Sequence, residues 1–330
     1  MSSDILQTRL SCGLRVSLKE IHSAPLASHW LFYGVGSRDE QPGATGISHW
    51  VEHMQFKGTP AYPAAFLDRA IARQGGSWNA FTYLDWTAYY ETLPAEHIDL
   101  GIQLEADRMQ NSLFEEEAVE SERKVILAER EGSENEPLFR LGEAVQSAAF
   151  THHPYRNEVI GLREDLEKLS RAELFAHYRE NYHPGNALLC MAGDFESERM
   201  LERIEQLYRD IPAQPARNRQ IPPDPPPQGN QRLEMSGPGE ATFIEVVYRA
   251  PAAADPDFFA FTVLDSLLSG PASLNMFGGG GISNRTSRLY RSLVEKELAV
   301  SASGGLQATL DPHLYDTVLT LHPRSNVDAL

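Results

Sequence analysis

The chain has 330 residues, 42% of them apolar and 23% charged, and its 29 basic and 46 acidic residues leave a net charge of −17. That length exceeds the usual single hydrophobic core, so two domains are expected, and the composition is that of a soluble globular protein rather than a disordered one. The scarcity of Lys and Arg argues against a nucleic-acid partner, no apolar run approaches the roughly 18 residues of a membrane span, and Cys12 and Cys190 are too few and too far apart for a disulfide framework or a cysteine zinc site.

The first residues, Met-Ser-Ser-Asp-Ile-Leu-Gln, carry neither a basic-then-apolar leader nor an Arg-rich, acid-poor transit pattern. A reducing, soluble compartment, most simply the cytoplasm, is therefore the expectation.

Residues 7–19 alternate as an opening strand, with Cys12-Gly13 as a turn, and 28–35 read as a second strand. After a loop at 38–45, the period changes to helical over 46–56, with Ile47, Trp50, Val51 and Met54 on one side. A helix at 64–74 stops at Gly75-Gly76, and the aromatic and β-branched stretch 77–91 predicts strands. Helix dominates 95–130 with a break near Asn111-Ser112, then recurs at 137–149, 170–181 and 196–209 around a strand at 187–192. Without regular β-α alternation this predicts an α+β fold.

Seven prolines, at 212, 215, 222, 223, 225, 226 and 227, mark 211–231 as a stiff extended linker. The predicted division is a first domain at 1–210, the linker at 211–231 and a second domain at 232–330. That second part reads as strand 241–249, helix 257–269, a Gly-rich loop at 278–281, helix 284–298 and further strands. This order resembles a shortened copy of the first domain, with its C-terminal part expected to be incomplete. The glycine run is not a phosphate loop, because no Gly-Lys-Ser/Thr follows it.

The stretch that carries chemistry is His49-Trp50-Val51-Glu52-His53. On a helix, i and i+4 lie within about 40° of each other around the axis, so His49 and His53 can offer two nitrogens to one metal ion. Glu52 leans over the same face, placed as a general base rather than a ligand. A surface helix with two stray histidines is the bland alternative, but the apolar side opposite this polar stripe weighs against it. A catalytic metal site also needs a third protein ligand. The other histidines lack ligand spacing, and His152-His153 reads as loop structure.

The flanks extend the signal. Gly36-Ser37-Arg38-Asp39-Glu40, Gly46-Ile47-Ser48-His49 through Phe56-Lys57-Gly58-Thr59, Gly76 to Thr82, Glu122 to Glu129, His153-Pro154-Tyr155 and Tyr182 to Asn186 together resemble the pitrilysin/insulinase peptidases, their processing-peptidase branch in particular. The resemblance implies two related α/β-sandwich domains and one Zn2+ per chain. It implies Glu129 as the third metal ligand and Glu122, two helical turns earlier on the same face, as a carboxylate that orients a ligand histidine. It further implies that strand 77–82 is an edge to which a peptide substrate adds as a strand, held by Asn79 and Ala80. Phe81 and Tyr83 are expected to serve packing.

In many relatives of that family a second-domain segment supplies an Arg and, seven residues later, a Tyr that help stabilise the oxyanion. Here the corresponding stretch Val294 to Val300 is one residue shorter and has Val at both ends. A homologous subunit without metal, lending those donors in a heterodimer, is therefore the expected partner. The competing readings are a noncatalytic peptide-binding or scaffold subunit and a zinc hydrolase of small molecules.

Overall fold

The computed structural model describes residues 5–215, 219–227, 229–270 and 284–322. The chain divides into two compact units, Met1–Glu131 with Asn157–Ile221, and Gly132–Arg156 with Pro222–Leu330. The Pro-rich stretch is thus shared between them, and the segment 132–156 groups with the C-terminal unit.

The first unit is built on one sheet. Its strands are β1 (Leu6–Arg9), β2 (Arg15–Glu20), β3 (Leu26–Tyr33), β4 (Ser77–Thr82), β5 (Thr87–Pro94) and β6 (Ala187–Gly193), in the order β1-β2-β6-β3-β5-β4. Only β2 and β6 run parallel among these neighbours. The expected β1–β2 turn at Cys12-Gly13 is present. Alternation decides the faces: Ala27, His29, Leu31 and Tyr33 of β3 are buried while Ser28, Trp30 and Phe32 between them are half-buried. The buried rows meet helices α1 (Ile47–Met54), α3 (Ile98–Asn111), α7 (Arg171–Asn181) and α8 (Ser197–Tyr208) in a single core that includes Leu31, Trp50, Met54, Ile102 and Tyr178. The other face carries an aromatic layer in which Trp30 stacks on Tyr90 at 4.3 Å and Phe81 meets Trp86 at 5.2 Å. Phe81 and Tyr83 thus pack against Trp86, as expected.

Helices α2 (Ala64–Arg73), α4 (Glu116–Glu134) and the short α6 (Arg163–Leu166) complete this part of the chain, and α5 (Pro137–Ala149) belongs to the second unit. The expected break near Asn111-Ser112 is present: α3 ends at Asn111, Ser112 adopts ψ 134°, and α4 starts at Glu116. Ser170 caps α7 by accepting from the Glu173 N–H while the Glu173 carboxylate returns a bond to Ser170, a reciprocal cap.

Beneath the sheet lies a charged cluster of wholly buried side chains, His29, Glu91, Glu105 and Arg108. His29 Nδ1 is 2.9 Å from Glu91 Oε2, and Arg108 pairs with Glu105 and Glu91 while lying over the rings of Tyr89, Trp78 and Phe56. Burial pushes the His29 imidazole down to about 4, and holds Glu105 up to about 8 and Glu91 above the usual carboxylate range. Neutral His29 donates from Nδ1 and leaves Nε2 without a proton, in keeping with the lack of a partner there.

Below about pH 6.5 the unfolded chain takes up a proton that native His29 refuses until about 4, so its contribution to stability is lost as pH falls through that window. The raised carboxyls act in the opposite sense, which makes a comparison the proper test. Going from pH 6.5 to 4, the wild type should lose roughly 3 kcal/mol relative to His29→Gln in urea unfolding. A stability gap that stays constant with pH would contradict the buried neutral imidazole.

The second unit holds a three-stranded antiparallel sheet, β7 (Phe243–Arg249), β8 (Ala299–Leu306) and β9 (Leu314–Leu321), in the order β7-β9-β8, with α5 and α9 (Phe258–Ser269). Both units thus mix a sheet with helices, as the α+β expectation requires. The predicted helix 284–298 is reduced to a π-helical turn at Tyr290–Val294. Leu289, Leu293 and Val294 pack on Ala302, Leu319 and Leu321, and the chain turns at Glu297 with φ 57° to enter β8. The Gly-rich loop 278–281 lies outside the described residues.

His152 and His153 do not converge. Asp224 accepts the backbone N–H groups of Thr151, His152 and His153, and the buried His153 imidazole pairs with Asp311 at 3.0 Å.

Candidate metal centre

Helix α1 is held at its start by a carboxylate from the loop before it. Glu40 accepts the Gly46 N–H at 2.8 Å and the Ser48 N–H at 2.9 Å, satisfying donors that a helix N-terminus leaves open. Gly46 is needed there: its φ is 82°, and a Cβ would come within 2.4 Å of the Ile160 carbonyl oxygen. Burial pushes the Glu40 carboxyl up to about 8, with the Ser48 and Gly46 N–H groups pulling the other way. Glu40→Ala should leave two buried donors unpaired and cost roughly 2–4 kcal/mol in chemical denaturation, with faster amide exchange at the start of α1. An unchanged midpoint would show that the cap is dispensable.

With its start fixed, α1 turns Ile47, Trp50, Val51 and Met54 into the core and leaves His49, Glu52 and His53 on the opposite side. The two imidazoles meet at Nε2···Nε2 3.3 Å, and Glu129 Oε2, from α4, is 3.6 Å from His53 Nε2. All three ligand atoms lie within 4.8 Å of one another. Tetrahedral bonds of 2.0–2.1 Å place neighbouring ligand atoms about 3.3 Å apart, so this donor set fits a zinc-sized ion. Desolvation of the half-buried His49, with His53 beside it, pushes its imidazole down to about 3, which keeps its lone pair available. Glu129 has 44% of its side chain exposed and forms the open side of the site.

Glu122 lies on the buried face of α4 with Val119, Ile126 and Arg130, and its Oε2 is 3.0 Å from His53 Nδ1. His53 Nδ1 donates there, which turns Nε2 toward the other two donors. Glu52 is buried, 8% exposed, and burial raises its carboxyl above the usual range. Thr82 Oγ1 donates to Glu52 Oε2 at 2.6 Å, leaving Oε1 free of that bond.

Thr82 is the last residue of β4, the edge of the six-stranded sheet. On this strand Asn79 is exposed, whereas the Ala80 side chain is buried in the core, so any contact from Ala80 to a ligand must come from its backbone. Thr82 and Glu40 lie inside stretches that carry the family resemblance, Gly76 to Thr82 and Gly36 to Glu40, without a role of their own there. Period-2 alternation from Trp78 and Ala80 would have placed Thr82 on the helix side, whereas nothing in the pattern pointed to Glu40 as a cap.

Residues 15–162 match the family described as Insulinase (Peptidase family M16), and residues 168–330 match the Peptidase M16 inactive domain. An uncharacterized zinc protease of Mycobacterium leprae is 30% identical over 94% of this chain and 67% of its own length. A probable mitochondrial-processing peptidase subunit beta of Arabidopsis thaliana is 27% identical over 83% of this chain and 51% of its own length. The chain therefore spans about half to two thirds of these curated relatives. Among solved structures, a protease from Helicobacter pylori superposes with a TM-score of 0.87 at 25% identity, covering 99% of this chain and 77% of that one. No helix among the described residues is long and apolar enough to cross a membrane.

Proposed function

Because the chain belongs to the insulinase peptidase family M16, we propose that it is the metal-bearing subunit of a zinc endopeptidase that hydrolyses peptides or unfolded segments. The observation that carries this reading is the convergence of His49, His53 and Glu129 beside a buried Glu52 held by Thr82. Two imidazoles and a carboxylate accept several divalent ions; the zinc-protease names of the relatives favour Zn2+, and the single cluster of three donors among the described residues suits one ion per chain.

When bound, zinc supplies Lewis acidity toward a carbonyl and lowers the pKa of water. Glu52 is the general base: its raised pKa suits it to take a proton from the attacking water and return it to the leaving amine. Thr82 fixes one carboxylate oxygen so that the other is aimed at that proton. Glu122 orients His53. The β4 edge takes the substrate as an added strand, with Asn79 and the Ala80 backbone as its contacts.

The first domain, 1–210, is the catalytic part in this reading, with 211–231 as linker and 232–330 as the noncatalytic second domain. Since Val294 to Val300 lacks the Arg and Tyr donors, a homologous subunit without metal supplies them in a heterodimer. A relative named as a beta subunit supports that arrangement. The two free cysteines fit a reducing compartment, and we place the protein in the cytoplasm. The alternative, a noncatalytic peptide-binding or scaffold subunit, draws support from the inactive-domain description of residues 168–330.

The test is digestion of an unstructured peptide mixture by the zinc-loaded chain, alone and with any subunit it captures from its native extract, read by mass spectrometry. Cleavage only with the subunit supports the whole reading. Cleavage by the chain alone removes the need for borrowed donors, and the absence of cleavage in both arms favours the scaffold.

A further inference from the structure

We propose that Lys57 is a positioning residue of the metal centre, acting through Glu122 on His53. The inference rests on His53 being a metal ligand. Lys57 follows the motif helix by three residues, and its ammonium pairs closely with Glu122 Oε1 while Glu122 Oε2 takes the His53 Nδ1 hydrogen at 3.0 Å. One carboxylate is therefore used from both ends, by a cation on one oxygen and an imidazole on the other.

The backbone under Lys57 is built to hold it there. The Phe56 and Lys57 N–H groups bond to the His53 and Met54 carbonyls at 3.1 and 3.0 Å, tightening the end of α1 into a 3-10 turn. Gly58 then takes φ 91°, where a Cβ would lie 2.5 Å from the Ala64 nitrogen, and its carbonyl accepts the Leu113 N–H at 2.9 Å. Leu113 lies just before α4, the helix that presents Glu122 and Glu129. The turn carrying Lys57 is thus tied to both helices of the site.

Physically, a carboxylate bonded only to His53 can rotate about its terminal torsion, which is broad and shallow. The second bond from Lys57 fixes its plane, and with it the direction of the His53 ring and the Nε2 lone pair. The ammonium also offsets one negative charge where Glu52, Glu122 and Glu129 gather. Lys57 is 31% exposed and its charge is partly screened, so the effect should be moderate and carried by orientation.

The test is zinc affinity of the full chain, measured by competition with a chromophoric chelator, for the wild type, Lys57→Met, Lys57→Arg, Glu122→Gln and the Lys57→Met/Glu122→Gln double variant. Lys57→Met should weaken zinc binding about tenfold, at the lower end for a group outside the ligand shell. Lys57→Arg should stay within about threefold, because its guanidinium keeps the pair. In the Glu122→Gln background Lys57→Met should change nothing further. Metal-free thermal midpoints check that each variant folds. An unchanged Kd for Lys57→Met, or the same loss without the Glu122 carboxylate, would overturn the relay while leaving the metal centre standing. Failure of the wild type itself to bind zinc would sink the metal centre and the relay with it.

Discussion

Glu52→Gln should slow peptide hydrolysis by about 10²–10⁴-fold in whichever assembly cleaves, with zinc content unchanged. Glutamine keeps the shape and can still meet Thr82, whose Oγ1 lies 2.6 Å from Glu52 Oε2. What it loses is the ability to accept and return a proton. Because Glu52 belongs to α1 but is not one of the three converging donors, the loss should fall on kcat with little change in KM. A variant that keeps more than a tenth of wild-type kcat would remove Glu52 from the chemistry. A variant that also loses zinc would instead make Glu52 part of the metal's support.

The second large effect falls on metal affinity. Glu129→Gln should weaken zinc binding on the order of 10²–10³-fold, since the roughly 10–16 kcal/mol of a structural zinc site is shared among about four ligands. Glu129 is the useful position for this test because its side chain is 44% exposed. Its replacement should move the metal-free unfolding midpoint by no more than an ordinary surface substitution. The half-buried His49 would not separate the two effects so well, because its removal also takes away a ring packed against His53. Equal zinc affinity in wild type and Glu129→Gln, by chelator competition, would exclude Glu129 as a ligand.

The elements with strong periodicity were legible in the chain. The motif helix, the β1–β2 turn, strand in the stretch 77–91 and the break between α3 and α4 follow from local composition, alternation and turn residues, whereas the edge position of 77–82 came from the family resemblance. The pairing of His49 with His53 needed only helical spacing. That Glu129 would meet them needed the family resemblance, because no local pattern says that α4 brings Glu129 beside His53. The cap by Glu40, the Thr82 bond to Glu52 and the Lys57 contact to Glu122 escaped the sequence for the same reason: each joins groups through the fold rather than along one element. The buried cluster of His29, Glu91, Glu105 and Arg108 was hidden further, since strand alternation predicts burial but not which charges meet there. The helix predicted over 284–298 is shorter in the fold, where Leu289 and Leu293 pack against β8 and β9 and the chain turns at Glu297.

The acid excess of the chain fits this arrangement in one respect. A centre that gathers Glu52, Glu122 and Glu129 around two histidines would be stabilised by a bound dication, so added zinc should raise the thermal midpoint with the logarithm of its concentration relative to Kd.

The most direct test of the account is X-ray absorption at the zinc edge on the chain loaded with one equivalent of metal. Two imidazole nitrogens and carboxylate oxygen at about 2.0–2.2 Å, in a four-coordinate shell that loses a ligand in Glu129→Gln, is the predicted result. A six-coordinate shell of water oxygens, or a spectrum indifferent to Glu129→Gln, would contradict a metal centre formed by His49, His53 and Glu129.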